Sequence, residues 1–237
     1  MSVLSGRLAT REKIADATWL FQLESEEPLA FAAGQSIDLT LSDPPWHDAS
    51  GDKRAFSIAS APNGNRLTIA SRVRGSAFKR SLVEGPLGLA VEIEGPFGSM
   101  TLPESGEPVV MLAGGIGVTP FRAIVEDAIA RGRTNPLLLV HSNRAPGEAP
   151  FLSELQRWGS TSPHFRYVPT MTGKAPGWSG ARHRLDADWL AEISPGDRSA
   201  SRWFLAGPDR FIQGVGATLA SMGVAMERVA MEQFSGY

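Results

Sequence analysis

The 237-residue chain reads as two domains of different class, an N-terminal antiparallel Greek-key β-barrel followed by a parallel-sheet α/β domain. Three observations predict this. Short strand-like runs separated by glycine and proline pairs fill the first hundred residues. The texture then changes, after Pro103-Glu104-Ser105-Gly106, to apolar runs alternating with amphipathic stretches. The hydrophobic share, 42%, is that of an ordinary globular protein with a real core. The boundary is placed at 103/104, giving domains 1–103 and 104–237.

In the first half the predicted strands are Thr18 to Leu23, Ser36 to Leu41, Arg54 to Ser60, Leu67 to Arg72 and Ala90 to Glu94. Alternation of Ile37, Leu39 and Leu41 marks a half-buried strand. Turns fall at Pro62-Asn63-Gly64, Gly85-Pro86 and Gly95-Pro96, and Ser76 to Val83 has room for about two helical turns. Short, evenly spaced strands favour closure into a barrel. In the second half, Pro108 to Ala113 reads as a buried strand, followed by a helix with Phe121, Ile124, Val125, Ala128 and Ile129 on one face. Strands at Leu137 to His141, Phe165 to Thr170, Trp203 to Ala206 and Arg228 to Met231 then alternate with helices at Phe151 to Trp158, Leu185 to Ile193 and Pro208 to Met222. Such repetition demands a mostly parallel sheet with right-handed crossovers.

Composition narrows the chemistry. A net charge of -2 provides no overall basic field for nucleic acid or an anionic membrane, so anions must be met by local arginines. The absence of cysteine excludes disulfides, cysteine-ligated iron–sulfur clusters, thiolate zinc and a cysteine nucleophile from these residues. Met1 to Thr10 has no leader pattern and no apolar run approaches a membrane span, so a cytoplasmic protein is expected, and a monomer. His47, His141, His164 and His183 lack metal-ligand spacing, so no metal is expected, and no G-x-S-x-G elbow is present.

Two segments carry the chemistry. In Gly114-Gly115-Ile116-Gly117-Val118-Thr119-Pro120 the glycines permit close backbone approach, Thr119 is placed to cap a helix, and Pro120 to begin it. Free N–H groups at such a turn suit a diphosphate, although proline stands where the usual fingerprint has its third glycine; a ligand-free strand-to-helix turn has the same pattern. In Arg54-Ala55-Phe56-Ser57 a cation, a ring and a hydroxyl follow one another, the groups needed to hold a diphosphate, cover a flavin ring and bond its edge. The strand period puts Arg54, Phe56 and Ile58 on one face and Ala55 and Ser57 on the other. Phe56 as a core ring and Arg54 as a solvated charge is the competing reading. A second cluster, Arg72-Val73-Arg74-Gly75-Ser76-Ala77-Phe78-Lys79, joins cations to a glycine turn and a helix start near Ser76 that suits a further phosphate. Arg144 follows the second parallel strand, where a guanidinium would select the 2′-phosphate of NADPH, or would brace its loop against Glu148 or Glu154; Arg182 or Arg184 could approach from the next loop.

Taken in order, these motifs, with Ala33-Gly34-Gln35, Glu94-Gly95-Pro96-Phe97-Gly98, His141-Ser142-Asn143-Arg144, Ala206-Gly207-Pro208 and Glu232-Gln233-Phe234-Ser235-Gly236-Tyr237, resemble the ferredoxin–NADP reductase superfamily over nearly the whole chain. The resemblance implies FAD on the barrel and NADPH or NADH on the α/β domain, with hydride passing to the flavin. Single electrons then go to a separate carrier such as ferredoxin or flavodoxin. A reductase component of a multi-protein oxygenase is the alternative, as is a flavin-binding regulatory or electron-transfer module with little turnover. It further implies that Arg54 pairs with the flavin diphosphate, Phe56 lies on the isoalloxazine and Ser57 bonds near N5. Arg72, Arg74, Gly75, Ser76 and Ala77 become ribityl and phosphate contacts. Gly115, Gly117, Thr119 and Pro120 take the nicotinamide nucleotide, with Gly207, Pro208 and Asp209 as the loop beside it. Glu232 is implied to couple electron and proton movement, which with Ser57 and Thr119 makes three catalytic candidates. Three departures stand out. Phe56 replaces the family tyrosine, Ala206 the family cysteine, and either Phe234 or Tyr237 must serve as the aromatic over the second flavin face.

Overall fold

A computed structural model of the chain describes residues 2–194 and 197–234. The barrel consists of β1 (Ser2–Ala15), β2 (Thr18–Ser25), β3 (Ser36–Leu41), β4 (Lys53–Ser57), β5 (Arg66–Arg72) and β6 (Ala90–Phe97), with α1 (Ala77–Glu84) between the last two. They form one antiparallel sheet in the order β4-β3-β6-β1-β2-β5. An antiparallel bridge between Ile58 and Ile69 joins its two ends, so the sheet closes on itself. Phe21, Leu23, Ile37, Leu39, Ile69, Phe78 and Ile93 fill the interior.

The α/β unit comprises β7 (Val109–Gly114), α2 (Thr119–Ala130), β8 (Leu137–Asn143), α3 (Leu152–Thr161), β9 (Phe165–Met171), α4 (Ala187–Ile193), β10 (Arg202–Pro208), α5 (Asp209–Ser221) and β11 (Val229–Phe234). Its five strands are all parallel, in the order β11-β10-β7-β8-β9. Every residue of β7 is buried, as a central strand covered on both faces requires. Strand order reverses between β7 and β10, and their carboxyl ends form the switch point at which open α/β sheets bind ligands.

The first strand departs from expectation. Nothing in Ser2 to Ala15 alternates in hydropathy, and Leu8 alone among its residues is fully buried, so the longest strand of the barrel carries no period-two signal. Tertiary pairing with both β2 and β6 holds it in place. The strand predicted over Arg54 to Ser60 ends at Ser57, where the chain turns towards the closing bridge. No helix among the described residues is long and apolar enough to cross a membrane.

Candidate functional site between the two sheets

A cleft of about 510 Å³ opens between the barrel and the carboxyl edge of the parallel sheet. The barrel contributes Arg54, Ala55, Phe56, Ser57 and Ser76, and the α/β unit contributes Thr119, Glu232 and Phe234. Four consecutive β4 residues therefore reach one cavity, where strict alternation predicted two faces. Phe56 and Ser57 are both buried, in keeping with a strand end that twists as it leaves its partner. The Phe56 ring belongs to the barrel core, stacked on Phe78 with centroids 5.9 Å apart, while the residue also forms part of the cleft wall.

One corner of the cleft is strongly cationic. Arg54 Nη1 donates to the carbonyls of Ser50, Gly51 and Lys53, and its guanidinium lies 5.3 Å from the Phe78 ring centroid. Ser76 caps α1 by accepting from the Lys79 amide. Burial and the neighbouring charges of Arg54 and Arg74 hold the Lys79 ammonium below the usual lysine range. Cations gathered against their own repulsion at a helix start form a donor set for a diphosphate. Asp48 reaches the same corner, where its carboxylate accepts from the amides of Ala77 (2.7 Å) and Ser50 (2.9 Å) and lies 3.8 Å from Arg54.

At the centre, Ser57 donates its hydroxyl to the Glu232 carboxylate, joining barrel to β11. Burial pushes the Glu232 carboxyl above the ordinary range, and the Ser57 hydrogen bond opposes that shift. Glu232 lies beside Ala206 in the β10–β11 register.

The glycine turn meets the cleft from the other side. Residues Gly115–Val118 form a single 3₁₀ turn that runs directly into α2. Because the turn is continuous with the helix, no extended residue remains to cap it; Thr119 is the first helical residue, not its cap. Its hydroxyl donates to the Ile116 carbonyl at 2.7 Å, and Pro120 follows within the first turn as expected. Gly117 answers a packing demand: a Cβ there would lie 2.2 Å from the Ala206 carbonyl oxygen and 2.8 Å from Gly207 Cα. Below the turn, His141 is fully buried. Its Nε2–H donates to the Gly115 carbonyl at 2.8 Å, which leaves Nδ1 to accept from the Tyr167 hydroxyl at 2.9 Å. Burial lowers the His141 pKa to about 4, so the imidazole is neutral.

Several predicted residues lie off the cleft wall. Arg72 is turned to the domain junction, where it pairs with Glu148 at 2.7 Å. Arg74 and Gly75 are exposed at the rim, and Ala77 presents its amide to Asp48. Gly115, Gly117, Pro120, Gly207, Pro208 and Asp209 cluster at the switch point behind the wall. Arg144 is exposed and makes no ion pair among the described residues; the carboxylates expected to brace it are engaged by Arg72 and Arg122. Phe234 lines the cleft, and Tyr237 lies outside the described residues. Sequence reasoning passed over Ser36, Ser50, Ala70 and Ser71, and quoted Lys79, Ile116 and Gln233 within motifs without giving them individual roles; all seven line the cavity. It also passed over Asn143, whose buried side-chain amide, at the carboxyl end of β8, has no hydrogen-bond partner on either atom. Orphaned polar atoms at that edge suit a polar ligand.

Residues 111–216 match the family model described as an oxidoreductase NAD-binding domain. Ferredoxin–NADP reductase B of Sorangium cellulosum is 31% identical over 224 residues, covering 90% of this chain and 89% of that protein. The chain belongs to the ferredoxin–NADP reductase family. The reductase subunit of an aromatic O-demethylase from an Amycolatopsis species is 29% identical over 219 residues; this chain is covered to 88% but spans only 62% of that subunit's length. Among solved structures, a cytochrome P450 reductase from Amycolatopsis superposes with a TM-score of 0.82 at 26% identity, covering 98% of this chain and 70% of that one. Membership of the ferredoxin–NADP reductase family accounts for the two-layered arrangement of barrel, switch point and intervening cleft.

Proposed function

We propose that this chain is an NADPH- or NADH-dependent flavoprotein reductase that holds FAD on the barrel, receives the nicotinamide nucleotide at the glycine turn, and passes electrons to a separate protein. The observation that carries the reading is the shared cleft, in which a cationic corner from one domain, Ile116 and Thr119 of the glycine turn from the other, and the Ser57–Glu232 pair meet in one cavity. When bound, the flavin supplies the redox chemistry, accepting an electron pair from the nicotinamide and releasing electrons singly.

Arg54, Lys79 and the amides at the start of α1 hold the diphosphate, which favours FAD over FMN because there are donors for two phosphates. Arg74 adds positive potential from the rim. Ser57 orients the flavin edge through its hydroxyl. Glu232, whose burial raises its affinity for a proton, stands next to Ser57 Oγ, where its carboxyl oxygen can take up or release a proton beside the reacting atoms. Thr119, 2% exposed and tied to Ile116, positions the start of α2 beside the nicotinamide. Phe234 covers the open side of the cleft and excludes water. An unpaired Arg144 after β8 favours NADPH.

A role as the reductase component of a multi-protein oxygenase is the second reading, supported by the Amycolatopsis relative's name as a reductase subunit of an aromatic O-demethylase and by the lack of cysteine, which puts any cysteine-ligated cluster outside these residues. Anaerobic stopped-flow mixing of the yellow protein with each nucleotide tests the proposal. Rapid bleaching of flavin absorbance by one nucleotide is expected; a colourless protein that takes up no FAD on reconstitution, or bound flavin that neither nucleotide bleaches, refutes it.

A further inference from the structure

The two domains are tied by a part-buried charge cluster that lies outside the cleft. Arg122, one turn into α2, is only 11% exposed. Its Nη1 donates to the Ala59 carbonyl of the barrel at 2.6 Å and to Glu126 at 3.1 Å, and Nε and Nη2 form a two-pronged pair with Glu154 of α3 at 2.8 and 2.9 Å. Phe151 and Trp158 face the guanidinium, with centroids 5.1 and 5.4 Å away. Glu126 crosses back to the barrel by accepting the Ala61 amide at 2.7 Å. One guanidinium and one carboxylate therefore grip two backbone groups of the other domain.

What they grip decides the consequence. Ala59 is two residues beyond Ser57, and Arg122 is three residues beyond Thr119. The clamp thus joins the strand end that offers Ser57 to the helix start that offers Thr119, within two and three residues of them along the chain. Between these points Ala33, Ala59, Ala70 and Met100 of the barrel pack into one core with Val118, Phe121 and Ile124. At Gly34 an added Cβ would lie 2.0 Å from the Met100 carbonyl oxygen and 2.9 Å from Ile124 Cδ1. Domain interfaces within a chain usually allow relative motion. Here the ion cluster, paired within the α/β unit, holds the orientation, because shifting α2 against the barrel would break the Arg122–Ala59 and Ala61–Glu126 hydrogen bonds and leave two part-buried charged groups each short of a partner.

We propose that Arg122, acting with Glu126, is a positioning residue that sets the separation of the nicotinamide-binding turn from the flavin-binding strand, and so the approach of the two rings. This rests on the functional reading above. Arg122 touches neither ligand; it acts through Ala59 and the first turn of α2.

The test uses the cysteine-free chain, in which Glu27→Cys and Gln213→Cys, both exposed and one on each domain, accept spin labels without background. Pulsed electron–electron distance measurements on the wild-type background should give one narrow distribution, and Arg122→Met a broad one. In unlabelled protein, Arg122→Met should lower the rate of flavin reduction at saturating nucleotide by about 100-fold, the scale of an ångström-sized misplacement. The dissociation constants of FAD and nucleotide should change by less than about threefold, and the long-wavelength charge-transfer absorbance of stacked rings should be lost. If Arg122→Met does not fold, Arg122→Lys and Glu126→Gln should give intermediate broadening and intermediate rates. An unchanged distribution, or a broadened one with an unchanged reduction rate, overturns the proposal. A wild-type protein that no nucleotide reduces sinks the functional reading instead; the distance measurement, which needs no flavin, tells the two failures apart.

Discussion

The two anion-binding corners of this molecule are built from opposite materials. On the barrel side the work falls to side chains: Arg54, Lys79 and Arg74 gather positive charge at the start of α1, and Asp48 partly offsets it. On the α/β side no cation stands on the glycine turn itself; backbone geometry is everything, with Gly117 wedged against β10 and a neutral His141 holding the Gly115 carbonyl from below. A corner made of charges should tolerate changes of shape and respond to changes of charge. A corner made of backbone should do the reverse.

The sharpest break of that contrast is Gly117→Ala. The new Cβ meets the Ala206 carbonyl oxygen and Gly207 Cα, neither of which is a flexible side chain. Loss of nucleotide binding is expected, with destabilisation of about 3 kcal/mol or more from overpacking. Gly115→Ala meets no atom within 4 Å and bears only the strain of its φ of 56°, about 1–2 kcal/mol. Chemical denaturation of both variants checks the ranking, and equal losses would contradict a backbone-built corner.

His141 gives the second test, of comparable size but conditional on pH. An unfolded histidine titrates near 6.5, whereas burial holds His141 at about 4. Protons therefore favour the unfolded chain as pH falls below about 6.5, and this penalty grows until pH reaches the folded value. The full shift corresponds to about 3 kcal/mol. Denaturation midpoints at pH 7 and pH 5 should differ more for the wild type than for His141→Gln; equal pH dependence would remove His141 as the acid-sensitive support of the turn.

The same contrast explains how much could be read from residues alone. Strand and helix order in the α/β unit is written in hydropathy, because its central strands β7, β8 and β10 are buried on both faces and its helices on one. The switch-point glycines are visible for a related reason, since backbone contact leaves no alternative residue. β1 was not visible, because a strand with exposed residues on both faces has no period. At the cationic corner the sequence points to a basic segment but not to the partners that its side chains take up in the fold. Arg72 and Lys79 sit in one cluster of basic residues, and only the fold sends Arg72 across the junction to Glu148 and brings Lys79 into the cleft. Asp48, in the loop just before the Arg54 motif, carried no signal. Its role is created by the closing of that loop onto α1.

The barrel corner should answer to charge. Lys79→Met removes a cation from the cleft wall while keeping its length and apolar stem. FAD affinity should fall about tenfold, or ~1.4 kcal/mol, with riboflavin, which has no phosphate, bound as before. Equal weakening of both ligands would mean that Lys79 supports the ring pocket and not the phosphates.

Asp48→Asn is the smallest expected effect and the most discriminating, because its sign is opposite. The Asp48 carboxylate accepts the first helical amide of α1 and lies near Arg54, the same donors that a phosphate would recruit. An amide oxygen can keep the bond to Ala77 while removing the negative charge that competes with the ligand. FAD should then bind a few-fold more tightly, and riboflavin should again be indifferent. Fluorescence titration of the flavin-free protein reads both. Weaker FAD binding by Asp48→Asn would show that the loop needs the carboxylate to shape the corner, making geometry matter on the barrel side as well and dissolving the contrast between the two halves.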